Sequence, residues 1–291
     1  MDMPKNLQIV VTGASGFVAK NVRKYLSENN VELTSISRND FKGLKNETKI
    51  VSRDYDEKII LPKIKNSNGL IHLVGIGKQS IENNYHLINV QFTKKIIQLC
   101  KKANIKKIVY TSGLGVSKSS SIGYFISKYQ AEKLLIDSEL DYTIFRPSYI
   151  IGKDDLFTQS LKKQIKNGEI KIPGSGKYSI QPIYINDVSQ IISKAITDNK
   201  FKKQTLDLVG SESISFQKYV KLFSKKTKVK IKKINLESVY HDAISNPNSE
   251  FGVDDLNLLI GDFTGDHKKL KKISKISFQP IKELLKSGSL L

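Results

Sequence analysis

The chain is 291 residues long, 39% of them hydrophobic, and carries a formal net charge of +20 at pH 7. This length allows one substantial core, so we expect a single continuous unit with a core over residues 1–150 and a smaller lobe over 151–291. The single cysteine, Cys100, excludes an intramolecular disulfide and favours a reducing compartment. Neither a signal peptide nor an apolar run near the roughly eighteen residues of a membrane span is visible, so we expect a soluble, cytoplasmic protein.

The positive charge comes almost wholly from lysine. Of the 48 basic residues only four are arginine: Arg23, Arg38, Arg53 and Arg146. The densest run, residues 221–233, carries seven lysines and alternates Lys with Val or Ile after position 228, as in a strand with one wet face. Nucleic-acid recognition favours clustered arginine forks and interleaved aromatics, and the sequence shows neither. We expect a solvated lysine-rich surface without a nucleic-acid partner, and attraction to anionic substrates or membranes stays open.

A glycine-spaced turn follows the first apolar run. Residues 7–11 are dense in Ile and Val, which is typical of a strand buried in a parallel sheet. Gly13 suits a tight turn, Gly16 lets a pyrophosphate approach the backbone, and Ala19 lets the next helix pack closely. Because free N–H groups at a helix start bind anions, we predict a nucleotide site here over a ligand-free corner. Its residues are Gly13, Ala14, Ser15, Gly16, Phe17 and Val18.

The end of the second predicted strand, residues 31–37, selects the cofactor. Arg38 follows it, at a position that faces the adenine ribose in dinucleotide-binding sheets. An arginine there favours a 2′-phosphate, whereas an acid such as Asp40 favours a free ribose hydroxyl. We therefore predict NADP(H) as the preferred cofactor, with NAD(H) as the alternative.

Strands and helices continue to alternate. Strands are predicted at residues 49–52, 69–74 and 107–111, with a long amphipathic helix over residues 81–99 that begins its apolar face at Ile81. This alternation predicts an α/β fold, namely a Rossmann-type doubly wound parallel sheet with a small C-terminal substrate lobe. Ligands bind beyond the carboxyl ends of such strands, where Gly75 and Gly77 would let the backbone pass under a cofactor. Asp54 is either an acceptor for the adenine amine or the cap of the next helix, and His72 is expected to be a packed side chain.

Tyr124 and Lys128 are the candidate acid-base pair. They are four residues apart on a predicted helix after the fifth strand, so both project from one face. A phenol has an ordinary pKa of about 10, and a nearby ammonium and a cationic nicotinamide favour the phenolate. The pair could then pass a proton to or from a substrate oxygen. The alternative is an ordinary helix with a buried Tyr and a solvated Lys.

Together these stretches resemble the atypical, extended-type short-chain dehydrogenase/reductases. The resemblance rests on residues 12–17, Asn89, the Tyr124 and Lys128 spacing, residues 145–148 and residues 182–188, and it is strongest from 7 to 210. Within them the chain is most similar to the group that contains the NAD(P)-binding accessory subunit of respiratory complex I and many epimerase/dehydratase-like proteins.

The resemblance implies a Rossmann fold, NAD(P) and a catalytic role for Tyr124 and Lys128, with residues 146–148 beside the nicotinamide. Further cofactor contacts are expected from residues at the strand ends and on the helices: Arg38, Asp54, Tyr55, Leu73, Val74, Gly75, Asn89, Thr111, Ser112, Tyr124, Lys128, Arg146, Pro147 and Ser148. Family members often carry two adjacent serines after the fifth strand, and the second polarises the substrate carbonyl. Here Gly113 follows Ser112, so Gly113 occupies that slot unless a shifted loop lets Ser112 serve as the third catalytic residue.

The C-terminal part carries no motif that names a substrate. Residues 171–176 are predicted as a loop, 186–198 as a helix capped by Asn186, and 205–209 as a strand that returns to the sheet. The tail from Phe251 to Leu291 is expected to form a lid over the strand ends.

Two functions explain the nucleotide motif. One is an NAD(P)-dependent oxidoreductase or epimerase/dehydratase-like enzyme acting on a small carbonyl or hydroxyl substrate. The other is a non-catalytic NAD(P)-binding scaffold or redox-sensing regulatory or assembly subunit, associated with a larger complex or a homo-oligomer. No metal site is predicted.

Overall fold

The computed structural model describes residues 6–80, 83–246, 249 and 252–291. The strands are β1 Gln8–Thr12, β2 Glu32–Ser37, β3 Glu47–Val51, β4 Gly69–His72, β5 Lys107–Thr111, β6 Asp141–Pro147, β7 Ile150–Ile151, β8 Glu169–Pro173, β9 Ser179–Ile180, β10 Ile183–Tyr184, β11 Gln204–Leu208, β12 Ile214–Ser215 and β13 Lys230–Ile234. The α-helices are α1 Phe17–Glu28, α2 Glu57–Ile64, α3 Phe92–Lys102, α4 Gly123–Ile136, α5 Leu156–Lys166, α6 Ile185–Thr197, α7 Phe216–Phe223, α8 Leu236–Ser245, α9 Val253–Ile260, α10 His267–Ser274 and α11 Ile281–Ser287.

Seven strands form one sheet in the order β11-β6-β5-β4-β1-β2-β3. Every neighbouring pair in it is parallel. The chain runs outward from β1 through β2 to β3 and then crosses to β4 on the other side of β1. The carboxyl ends of β1 and β4 therefore border the crevice in which such sheets bind ligands. The predicted Rossmann-type fold is confirmed.

Helices cover both faces of this sheet. One apolar cluster packs α1 and α6 on the first face and includes Val22 and Ile191. A second cluster packs α2, α3 and α4 on the opposite face and includes Ile96 and Cys100. Burial raises the pKa of the Cys100 thiol to about 12, in keeping with a structural side chain.

The long predicted helix has an irregular start. A π-helical turn occupies His86–Gln91 and continues directly into α3. The wider turn changes the direction of the side chains before it, as such insertions often do near functional sites. Ile81, with which the prediction began, lies outside the described residues.

Three predictions for the second half need correction. Residues 169–173 form strand β8, which pairs with β13, whereas a loop was predicted from Lys171. Helix α6 begins one residue before Asn186, and its cap position is Tyr184 without a side-chain hydrogen bond. Strand β13 was predicted to expose one face. Ile231 is 37% exposed, so both faces of this edge strand contact solvent.

The last part of the chain packs back on both lobes. Helix α11 packs on α7 in a third apolar cluster, and α10 packs on β11 and α6. Strand β11 returns to the sheet beside β6, within a residue of the predicted position. Phe251, where the predicted lid begins, lies outside the described residues. No helix in the described ranges has the length and apolarity needed to cross a membrane.

Candidate functional site: a nucleotide crevice with a Tyr-Lys pair

The turn between β1 and α1 has the geometry of an anion site. Gly13 has φ of +74°, and a Cβ on it would lie 2.9 Å from the Leu73 carbonyl carbon and oxygen. The Gly16 N–H donates to Gly13 O at 2.9 Å, and Gly16 caps α1 without a side chain. No acidic residue stands in the first turn of α1. The positive end of this helix is therefore free to bind a diphosphate.

Two buried side chains support this turn from below. Arg23 of α1 donates to Ala14 O at 2.8 Å and pairs with both carboxylate oxygens of Glu47 at 2.7 and 2.6 Å. Tyr55, named as a cofactor contact from the sequence, is fully buried, and its hydroxyl accepts the Gly13 N–H at 3.2 Å. Burial raises the pKa of Tyr55 to about 12, so this hydroxyl stays protonated. Tyr55 shapes the glycine turn. The role of Arg23 was missed, because its partners come from distant elements.

The predicted adenosine contacts lie at the ends of β2 and β3. The half-buried Arg38 donates to Asn83 Oδ1 at 2.8 Å, and its guanidinium lies 6.0 Å from the centre of the Phe92 ring. Asp40 is exposed and pairs with Lys49 at 2.5 Å. This ion pair lowers the pKa of Asp40 and directs its carboxylate to Lys49. Asp40 is thus engaged at the surface, whereas Arg38 is half-buried.

Asp54 does not cap the helix that follows it. Its side chain is exposed, and its carbonyl accepts from Lys95 Nζ at 2.5 Å. The cap of α2 is Asp56, whose carboxylate accepts the Lys58 N–H at 2.9 Å. The cap interpretation of Asp54 is therefore wrong, and its role as an acceptor for the adenine amine stays a prediction.

Residues after β4 form the floor next to the glycine turn. Leu73 is half-buried, Val74 is buried, and Gly75 is exposed. A Cβ on Gly75 would lie 2.7 Å from Lys128 Nζ and 3.3 Å from Asn89 Oδ1. Asn89, in the π-helical turn, accepts from Ile76 N at 3.0 Å and donates to Ser127 Oγ at 2.9 Å. It thus joins the β4 loop to α4.

Tyr124 and Lys128 meet at the carboxyl end of β5. Lys128 Nζ donates to Thr111 O at 3.1 Å and Tyr110 Oη at 3.3 Å, and it lies 6.0 Å from the centre of the Tyr124 ring. Burial lowers the pKa of Lys128 to about 8, with Glu132 opposing the shift, and burial raises the pKa of Tyr124 to about 12. In the chain alone, burial therefore favours the protonated phenol, and activation by the ammonium together with a nicotinamide stays a prediction.

Two serine hydroxyls near this pair lack a partner within the described part of the chain. Ser112 Oγ and Ser148 Oγ are both buried and make no hydrogen bond there. Such hydroxyls are ready to bind a polar ligand atom. Gly113 lies directly beside Tyr124, since a Cβ on it would be 3.0 Å from Tyr124 Oη. The residue after Ser112 is thus the one that faces the phenol.

Arg146 is held by an acidic partner. Its Nε and Nη2 donate to the two carboxylate oxygens of the buried Glu132 at 3.0 and 2.7 Å. Glu132 hydrogen-bonding raises the pKa of Arg146. This fork ties α4 to β6. Pro147 O accepts the Leu114 N–H at 2.9 Å, which fixes the loop after β5.

A cavity of about 190 Å³ opens at Tyr124. Among the described residues that line it none is charged, and the polar ones are Tyr124, Ser148 and Tyr149. The other side chains in its wall are apolar: Leu114, Phe125, Pro147, Leu258 and Phe263.

Helix α9 is anchored next to this cavity through Tyr85. The Tyr85 hydroxyl lies 2.9 Å from Asp254 Oδ2 and 2.8 Å from Gly77 O. Its ring meets the Tyr124 ring edge-on, with the centroids 6.0 Å apart. The C-terminal segment thereby contributes to the site.

Two further expectations concern His72 and metal binding. His72 is fully buried between Thr12 Oγ1 at 2.7 Å and Thr93 Oγ1 at 3.2 Å, so it is a packed side chain, and burial lowers its pKa to about 3. The described ranges contain no group of three or more His, Cys, Asp or Glu side chains that could hold a metal ion.

This crevice is typical of nucleotide-binding proteins with a Rossmann-type fold. A family model described as NAD(P)H-binding matches residues 13–198. The chain belongs to this NAD(P)H-binding family. This match confirms the NAD(P)-binding family that the resemblance implied.

Curated relatives are distant in sequence. Subunit 9 of the NADH dehydrogenase [ubiquinone] 1 alpha subcomplex, mitochondrial, from Dictyostelium discoideum is 24% identical over 223 residues, covering 74% of this chain and 62% of that protein. The subunit of the same name from Arabidopsis thaliana is 27% identical over 146 residues, covering 50% of this chain and 36% of that protein. The chain thus spans less than two thirds of the length of both relatives.

Solved structures share the fold over almost the whole chain. MoeE5 in complex with UDP-glucose and NAD has a TM-score of 0.76 at 16% identity and covers 97% of both chains. UDP-glucuronic acid 4-epimerase from Bacillus cereus, in complex with UDP-glucuronic acid and NAD, has a TM-score of 0.75 at 17% identity, covering 97% of this chain and 98% of that one. At this identity the likeness shows the fold alone.

Proposed function

We propose that the protein is an NADP(H)-preferring oxidoreductase or epimerase/dehydratase-like enzyme that acts on a small carbonyl or hydroxyl substrate through Tyr124 and Lys128. The observation that carries this proposal is the position of Tyr124. Its hydroxyl lines a cavity at the carboxyl ends of the central strands, and the ammonium of Lys128 lies behind its ring.

The crevice fits a nicotinamide dinucleotide. The start of α1 carries no acidic residue in its first turn, and the Ser112 and Ser148 hydroxyls are buried without a partner in the described part of the chain. We assign the diphosphate to residues 13–18 and the nicotinamide end to Ser112, Pro147 and Ser148. When bound, the cofactor supplies or accepts hydride.

Within the chain, Tyr124 is the group that exchanges a proton with the substrate oxygen. With a pKa of about 12 in the chain alone, it is protonated at neutral pH, which suits donation to a carbonyl oxygen as that oxygen gains charge. Lys128 favours the phenolate that remains, and its contact with Thr111 O fixes the ammonium. The cofactor preference rests on Arg38, whose guanidinium can pair with a 2′-phosphate.

The alternative function is a cofactor-binding scaffold or redox-sensing regulatory or assembly subunit. Gly113 favours it, because the slot facing the Tyr124 hydroxyl holds no second hydroxyl to polarise a carbonyl. The likeness to subunits of NADH dehydrogenase supports association with a larger complex, and a homo-oligomer is the other form of assembly. Those relatives are named as mitochondrial, so the cytoplasmic location stays a prediction.

Two measurements test the proposal. Calorimetry should show NADPH binding more tightly than NADH, and a panel of carbonyl compounds should contain one that is reduced at the expense of NADPH. Loss of that reduction in Tyr124→Phe, with NADPH affinity retained, supports the enzyme. Tight NADPH binding with no reduction of any compound, or equal rates in wild type and Tyr124→Phe, selects the scaffold.

A further inference from the structure

The cavity at Tyr124 is lined by uncharged residues. Its volume is about 190 Å³, and no described residue in its wall carries a charge. Because Pro147 and Ser148 in its wall are assigned to the nicotinamide end, a substrate can fill only the part bounded by Leu258 and Phe263. An apolar cavity of roughly 150 Å³ holds a molecule as small as benzene. A diphosphate or carboxylate buried in such a wall would lose its hydration without gaining a cation.

Lysines close to the cavity have other partners. Lys128 donates to Thr111 O and Tyr110 Oη, and Lys78 faces Asp255 at 4.0 Å. Neither lysine lines the cavity.

Phe263 forms part of the wall of the Tyr124 cavity. Its ring packs edge-on against Phe125 with the centroids 5.8 Å apart. A Cβ on Gly115, whose φ is +93°, would lie 2.7 Å from the Phe263 ring, and a Cβ on Gly261 would also collide with that ring. Two glycines therefore leave space for one aromatic side chain, which forms part of the cavity wall.

We infer that the substrate of this site is a compact, uncharged carbonyl compound or alcohol carried on a single aromatic ring or a branched aliphatic group. Phe263 and Leu258 set its size and polarity. This inference rests on the proposed function, because it places the reacting oxygen at Tyr124. It predicts that nucleotide sugars are excluded.

A matched pair of probes tests the inference without turnover. Benzyl alcohol and para-(hydroxymethyl)benzoate share the ring and the alcohol and differ by one carboxylate. Their binding to the NADPH complex is measured by calorimetry, with UDP-glucose as a competitor. We expect benzyl alcohol to bind at least about tenfold more tightly than the benzoate, and UDP-glucose to compete with neither.

Three variants locate the binding. Leu258→Lys should narrow or reverse the preference between the two probes, because it adds a cation to the wall. Phe263→Ala should admit naphthylmethanol, which wild type excludes. Phe278→Ala is the control: it is a half-buried phenylalanine of the same C-terminal segment that packs on His267, and it should behave as wild type.

The outcomes separate this inference from the proposed function. Equal binding of the two probes, competition by UDP-glucose, or unchanged selectivity in both Leu258→Lys and Phe263→Ala would overturn the substrate class, while NADPH-dependent turnover could still stand. Selective binding of benzyl alcohol without any turnover that depends on Tyr124 would uphold the chemistry of the bound ligand and overturn the enzyme, so that the ligand would not be a substrate.

Discussion

The ammonium nitrogen of Lys128 lies 6.0 Å from the centre of the Tyr124 ring, one helical turn away along α4. Its hydrogen bonds go to the end of β5, so it acts on the phenol through space and not by direct donation. Burial pushes the two pKa values apart, to about 12 for Tyr124 and about 8 for Lys128, because it favours the neutral form of each group.

Tyr124→Phe should reduce turnover of an identified substrate by about 10²- to 10⁴-fold, the usual contribution of one acid-base group. NADPH affinity should change little, because the ring remains. Lys128→Ala should reduce both turnover and affinity, since it removes a neighbour of Gly75 as well as the positive charge. Stopped-flow kinetics and calorimetry on each variant measure the two effects. Equal loss of affinity in both variants would contradict separate roles.

Gly113→Ala should lower turnover, because the new methyl would lie 3.0 Å from Tyr124 Oη and displace the phenol. Gly113→Ser should recover part of that loss by placing a hydroxyl beside the reacting oxygen. Gly43→Ala is the control, since its Cβ would meet only Glu47 Oε2 at 3.9 Å. Turnover rates of wild type and of the three variants at saturating NADPH show whether the side chain at position 113 affects the phenol. Full activity in Gly113→Ala would show that the phenol does not work from its present position.

Arg38→Ala should weaken NADPH binding by about 10- to 100-fold and leave NADH binding nearly unchanged. The reason is the loss of a charge-assisted hydrogen bond to the 2′-phosphate, worth about 1.5–3 kcal/mol. Arg53→Ala is the matched control, because Arg53 is exposed after the next strand. The four affinities are measured by calorimetry. If Arg38→Ala weakens binding of both cofactors equally, Arg38 contacts the adenosine but does not recognise the 2′-phosphate.

Asp187→Asn should stabilise the fold at pH about 8 and have no effect at pH about 4. Burial raises the pKa of Asp187 to about 6, although its carboxylate accepts the Gln279 N–H at 2.9 Å. Because the pKa of this carboxyl is higher in the folded state, the free energy of unfolding is unaffected below the unfolded-state pKa of about 3.9. The free energy of unfolding falls as the pH rises through about 6. The expected gain is on the order of 2 kcal/mol, because an amide keeps the hydrogen bond without the buried charge.

Urea unfolding at the two pH values measures this difference. The exposed Asp154→Asn serves as the control, since it removes the same charge from the surface. A gain at pH about 4 as large as that at pH about 8 would point to a cause other than the titration of Asp187.

The strands of the sheet were predictable because their signals are local. Runs of Ile and Val placed β1, β4 and β5 within two residues, and the glycine spacing located the nucleotide turn. The loop predicted from Lys171 failed because Pro173 and Gly174 read as a turn, whereas β8 exists through its pairing with β13.

The partners within the site were not predictable. Arg146 meets Glu132 across two elements, and Tyr55 reaches Gly13 from a turn 42 residues away. No spacing along the chain encodes either contact. The same holds for Phe263, whose place in the cavity wall depends on Gly115 and Phe125 in the other half of the chain. The sequence thus predicted the positions of Tyr124 and Lys128, whereas the residues that surround them could be identified only from the tertiary fold.

The Tyr85 hydroxyl has one proton and two acceptors, Gly77 O at 2.8 Å and Asp254 Oδ2 at 2.9 Å. Gly77 belongs to the same loop as Tyr85, whereas Asp254 arrives with α9. If α9 moves away, the proton passes to Gly77 O alone and Asp254 is rehydrated, so neither oxygen is stranded. At Tyr85, departure of this helix therefore exchanges one hydrogen bond for another, whereas the bonds from Tyr240 Oη to Asn257 Oδ1 and from Phe263 N to Ser179 O have to break.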